Sequence, residues 1–105
     1  MSEFSNVIGR LVATIAERRG ADPSTSYTAQ LLADRARAGK KLGEEAVETI
    51  IAALQDDKAA LAAESADLIY HWLVLLAASG VTLDEVAAAL AKREGRSGLE
   101  EKASR

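Results

Sequence analysis

The sequence predicts an all-α domain built on a helical hairpin core of four to five helices, and three observations carry that expectation. The chain holds one proline. It lacks any long alternation of apolar and polar residues, and it is rich in alanine and leucine, whose side chains lose little rotamer freedom in a helix. The first helix is expected over residues 6–19: Ser5 is a fitting N-cap, Val7, Leu11 and Ile15 make one stripe, and Gly20 ends it. Asp22 and Pro23 mark a turn over residues 21–25, and a short helix with a hydroxyl-rich entry follows over residues 26–32. A third helix is expected over residues 38–54, because Val47, Ile50, Ile51 and Leu54 recur at the i, i+3, i+4, i+7 spacing of one helix face. Gln55, Asp56 and Asp57 interrupt it. The fourth helix, over residues 58–79, takes Asp57 as cap and Gly80 as stop; its centre is apolar on most sides, the mark of a core helix. The last helix starts after Thr82, with Asp84 and Glu85 in the first turn where the helix dipole favours negative charge, and a polar tail occupies residues 95–105.

Two acidic groups stand inside these apolar helices: Glu44-Glu45-x-x-Glu48 on the third and Glu64-x-x-Asp67 on the fourth. A carboxylate taken out of water without a partner is strongly disfavoured, so such acids must be protonated, paired or bound to a cation. Glu44, Glu45 and Glu48 can all flank the Val47/Ile51 stripe, with Glu44 and Glu48 expected closest to the core. Glu64, Asp67 and His71 share one side of the fourth helix, bordered by leucine and valine. A short connection packs the two helices antiparallel, which brings both groups into one oxygen-rich site. Oxygen donors without cysteine suit a hard ion, Mg²⁺ or Mn²⁺, rather than zinc. Lys41 falls beside the first group, placed to meet a phosphate or neutralise an acid. His71 is expected to support Asp67 from behind, and Tyr70 and Trp72 to be core or interface residues.

Bulk properties narrow the function classes. Sixteen acids against thirteen bases give a net charge of −3, of the wrong sign for a general nucleic-acid binder. The longest continuous apolar stretch, residues 72–78, is far shorter than the roughly 20 residues that cross a bilayer, so no membrane role is expected. The absence of cysteine excludes a disulfide framework and suits the cytoplasm. A single domain over residues 1–105 is small enough that a second copy would help bury its apolar fourth helix, so a homodimer or higher homo-oligomer is expected to complete the bundle.

EExxE followed by ExxD on consecutive helices resembles the all-α nucleoside triphosphate pyrophosphohydrolases, the MazG-like superfamily. Within it, Ser26-Tyr27-Thr28-Ala29-Gln30-Leu31-Leu32, Lys40-Lys41-Leu42-Gly43-Glu44-Glu45-Ala46-Val47-Glu48, Glu64-Ser65-Ala66-Asp67-Leu68-Ile69-Tyr70-His71 and the tail Arg96-Ser97-Gly98-Leu99-Glu100-Glu101-Lys102 look like the phosphoribosyl-ATP pyrophosphatases of histidine biosynthesis. The resemblance implies Mg²⁺-dependent hydrolysis of phosphoribosyl-ATP to phosphoribosyl-AMP and pyrophosphate. It implies metal carboxylates at Glu45, Glu48, Glu64 and Asp67, with Glu44 near the metal or the attacking water. Glu44 and Glu48 are candidates for the base. Lys41, Arg18, Arg19, Arg96 and Lys102 are candidates for neutralising phosphates. Two other readings fit the residues: a house-cleaning enzyme acting on canonical or damaged nucleotides, and a non-catalytic helical module whose acids pair with a basic partner.

Overall fold

The computed structural model describes residues 2–104. Those residues form helices α1 (Glu3–Arg18), α2 (Tyr27–Leu32), α3 (Arg35–Leu54), α4 (Lys58–Ser79), α5 (Leu83–Ala91) and α6 (Gly98–Ala103), with no strand among them. The chain is all-α, as its composition predicts.

Local chemistry sets most helix ends. α1 begins earlier than expected because Ser2, not Ser5, is its N-cap, accepting the Ser5 N–H at 3.1 Å and placing Glu3 in the first turn. α3 also begins early, with Asp34 accepting the Arg37 N–H. Between α3 and α4, Asp56 takes a left-handed conformation (φ 56°), which a short polar side chain tolerates, and Asp57 caps α4 through the Ala60 N–H at 2.9 Å. α4 stops at Gly80 (φ 72°), where the Val81 N–H returns to the Leu76 carbonyl at 3.0 Å in a Schellman-type closure. Thr82 and Glu85 form a reciprocal capping box at α5. The polar tail is helical over α6, entered through Ser97, which accepts the Glu100 N–H.

α4 is the central element, packed against α1, α2 and α3. Its Leu73 and Val74 meet Ile15 of α1, Leu31 of α2 and Ala38 of α3 in the buried core. Leu31 and Val74 are fully enclosed, and each such burial contributes about 1.5–3 kcal/mol. By length and a mean hydropathy of 1.3, α4 reaches what a membrane span requires. It also carries Glu64, Asp67 and His71 and packs against three other helices, with 17% of that apolar window buried in the single chain.

The α3 face differs from expectation. Its buried residues are Ala38, Glu45 and Ala52, joined by the half-buried Leu42 and Thr49 into a seam of alternating four- and three-residue steps that packs along α4. Val47, Ile50, Ile51 and Leu54, read from periodicity as a core-flanking stripe, lie about 170° around the helix from that seam. They remain 55%, 58%, 47% and 79% exposed in the single chain. The inner face thus combines small residues, Ala38, Thr49 and Ala52, with Leu42 and Glu45.

Candidate active site

The seam explains where the acids go. Glu45 lies on it and is only 8% exposed, whereas Glu44 and Glu48 are open to solvent. This reverses the expectation that Glu44 and Glu48 sit nearest the core, because that expectation rested on the outer stripe. Glu45 and Glu48 from α3 and Glu64 from α4 each direct one carboxylate oxygen to a common point, all three within 4.8 Å of one another. Asp67, one turn beyond Glu64, is exposed, and its charge acts on both Glu45 and Glu64. Glu44, outside the trio, pairs with Lys41 at 3.6 Å.

No lysine or arginine among the described residues forms an ion pair with Glu45, Glu48 or Glu64. Oε2 of Glu45 and Oε2 of Glu64 are buried without a hydrogen-bond partner. Burial raises the proton affinity of Glu45, the Glu48 charge raises it further, Asp67 adds a smaller push, and His71 partly offsets these effects. Glu64 is also raised, first by Glu48, with which it can hydrogen-bond only by sharing a proton, then by burial, and then by the charges of Glu48, Glu45 and Asp67. Two orphaned oxygens in a convergent, oxygen-only set form the environment that a hard divalent cation relieves, so the residues fit Mg²⁺ or Mn²⁺.

The helix behind the acids is held by a polar network. His71, 7% exposed, donates from Nδ1 to the Asp67 backbone carbonyl at 2.8 Å, since a carbonyl can only accept. Its Nε2 lies within hydrogen-bond distance of the Tyr27 hydroxyl, at 3.2 Å. His71 thus supports the backbone of Asp67 rather than its carboxylate. Tyr70 bonds Thr28 through its hydroxyl and packs its ring near those of Tyr27 and His71. Arg37 covers the Tyr27 ring at 5.9 Å. Trp72 is half-buried and lines an apolar groove with Leu42, Ala46, Leu68 and Ile69. Sequence reading passed over Tyr27 as a partner of His71, because the bond crosses between α2 and α4. It also passed over Thr49, whose hydroxyl lies 2.7 Å from the Glu45 carbonyl and 3.2 Å from that of Glu64.

The other basic candidates belong to α1, its C-cap and the tail. Arg18 lies 4.0 Å from Glu17. Arg19 donates to the Ala77 carbonyl at 2.6 Å, about 15 Å along α4 from Asp67 at the helical rise. Arg96 donates to the Glu100 carbonyl, and Lys102 lies in the last turn of α6.

Comparison with known proteins bears on this site. The sequence profile of the family described as phosphoribosyl-ATP pyrophosphohydrolase matches residues 8–94, a span that includes both acidic groups. The phosphoribosyl-ATP pyrophosphatase of Caulobacter vibrioides strain NA1000 is 66% identical over 102 residues, covering 97% of this chain and 95% of its own length. That of Caulobacter sp. strain K31 is 65% identical over 105 residues, covering 100% and 98%. The relative of the same name from Parvibaculum lavamentivorans is 55% identical over 106 residues, covering 100% and 97%. With near-complete coverage on both sides and the acid-bearing hairpin inside the match, the chain belongs to the phosphoribosyl-ATP pyrophosphohydrolase family.

Proposed function

We propose that this chain hydrolyses phosphoribosyl-ATP to phosphoribosyl-AMP and pyrophosphate in histidine biosynthesis, using Mg²⁺ or Mn²⁺ held by Glu45, Glu48, Glu64 and Asp67. The observation that carries the reading is the convergence of three carboxylate oxygens within 4.8 Å, two of these residues having a buried oxygen without a partner. A polyphosphate cannot approach such a cluster unaided, since both are anionic. When bound, a divalent cation supplies charge neutralisation and Lewis-acid polarisation of the phosphates. The protein's own contribution is to hold the carboxylates in place on two rigid helices. Glu48 and Glu44, both open to solvent, are the acids able to take the proton of the attacking water as its oxygen bonds phosphorus and the anhydride bond to pyrophosphate breaks. Lys41, one turn before Glu45 and paired with Glu44, is the basic candidate positioned to meet a phosphate oxygen. A small nucleotide substrate and a cysteine-free chain suit the cytoplasm.

Pyrophosphate release from phosphoribosyl-ATP, measured with Mg²⁺ and with chelator, tests the reading; a panel of canonical and damaged nucleoside triphosphates is the comparison. Faster turnover of the panel moves the assignment to a house-cleaning enzyme, and no release from any substrate refutes catalysis. We also infer a homodimer or higher homo-oligomer. The exposed α3 stripe of Val47, Ile50, Ile51 and Leu54 supports it, because a contiguous apolar helix face is a poor surface for water and a good one for a second copy. A single-chain mass by light scattering at micromolar concentration would overturn that inference.

A further inference from the structure

Thr49 joins the two halves of the acidic cluster. It stands one turn after Glu45 on the α3 seam, and its one hydroxyl proton is shared between the Glu45 carbonyl on its own helix (2.7 Å) and the Glu64 carbonyl on the facing helix (3.2 Å). Bonding back to the i−4 carbonyl is an ordinary habit of threonine in a helix. Reaching a second helix is not explained by that habit, and both carbonyls here belong to residues of the carboxylate trio.

We propose that Thr49 is a positioning residue whose hydroxyl sets the separation of Glu45 and Glu64 for cation binding, an inference that rests on reading the acids as a metal site. The carboxylates repel one another, and that repulsion acts to part α3 from α4 at this level. The seam there is built from small side chains, Thr49 and Ala52, which offer little apolar interlock against such parting. A hydrogen bond shared between the two backbones opposes it directly. Because the bond holds main chain rather than carboxylate, all ligand oxygens stay free for a cation.

Valine matches threonine in shape without a donor, and serine keeps the donor without the methyl group. Calorimetric titration of Mn²⁺ into the metal-free 105-residue chain therefore isolates the hydroxyl. Thr49→Val is expected to weaken Mn²⁺ affinity about tenfold, and Thr49→Ser to stay within about twofold of the parent, the scale of outer-shell effects on metal sites. Unchanged affinity in Thr49→Val overturns the proposal. So does a serine variant as weak as the valine one, because methyl packing would then carry the effect. A parent protein that binds no Mn²⁺ sinks the metal reading and the clamp with it, a result distinct from the first two. Melting curves in chelator accompany the titrations. Should Thr49→Val be unfolded at the titration temperature, Thr49→Ser against Thr49→Ala, which differ by the hydroxyl alone, makes the same comparison.

Discussion

Glu45→Gln should stabilise the metal-free protein and destroy most of its stabilisation by Mg²⁺. In the parent, Glu45 is nearly enclosed and its carboxylate oxygen lies within 4.8 Å of those of Glu48 and Glu64. Two unit charges at 4.8 Å repel by about 1 kcal/mol in a water-like medium and by about 3.5 kcal/mol at an effective dielectric near 20. Glu48 is exposed, so solvent screening favours the lower figure for its pair with Glu45. Removing that charge should therefore raise the metal-free melting temperature by about 4–8 °C for a domain of this size. Saturation with Mg²⁺ at about a hundred times its dissociation constant stabilises the parent by about 2.7 kcal/mol, a shift of about 10–20 °C. The variant should lose most of that second shift. Paired melting curves in chelator and in Mg²⁺, at constant ionic strength and about pH 8, measure both. A variant that melts lower than the parent in chelator while keeping the full Mg²⁺ shift would refute the electrostatic reasoning.

Several outcomes extend the same logic. Since the carboxyls of Glu45 and Glu64 have raised proton affinity in the fold, the folded state binds more protons than the unfolded chain between the ordinary carboxylate range and the raised values. The contribution of these two groups to metal-free stability should therefore be fullest below that range and fall as pH rises through it; a melting temperature that increases with pH across this window contradicts the shifts. Glu48→Gln and Asp67→Asn should each cut pyrophosphate release about a hundredfold at limiting Mg²⁺ with helix content intact, and near-normal turnover in either would remove that acid from the metal set. Ile50→Asp, placed in the exposed α3 stripe, should convert an oligomer to single chains by light scattering; an unchanged mass moves the interface elsewhere. Gly80→Ala meets no neighbouring atom but must hold φ at 72°. It should cost about 1–2 kcal/mol, visible as a lower melting temperature, and no change would show that the α4 cap relaxes freely.

The parts of this protein legible from sequence are those decided within a few residues. Asp57 and Gly80 bound α4 where they were expected, Ser26 caps α2, and Thr82 with Glu85 starts α5, because capping depends on a side chain and the nearest backbone N–H groups. The acidic motifs and the short link between their helices were equally readable, since a tight turn leaves an antiparallel hairpin as the simplest arrangement. The Ser2 start of α1 and the helical tail were missed through competing local signals, a second serine in one case and a run of polar residues in the other.

What only the tertiary structure decided is which side of α3 faces inward. Periodicity marks Val47, Ile50, Ile51 and Leu54 as an apolar face but does not say what covers it. The fold instead turns Ala38, Glu45, Thr49 and Ala52 toward α4. That choice buries Glu45 rather than Glu44 or Glu48, draws Thr49 across to the Glu64 carbonyl, and leaves the more hydrophobic face outside. The reason is that hydrophobicity is a property of each residue, whereas the side of a helix that turns inward depends on how the side chains of both packed helices interlock, which the residues of one helix alone do not specify.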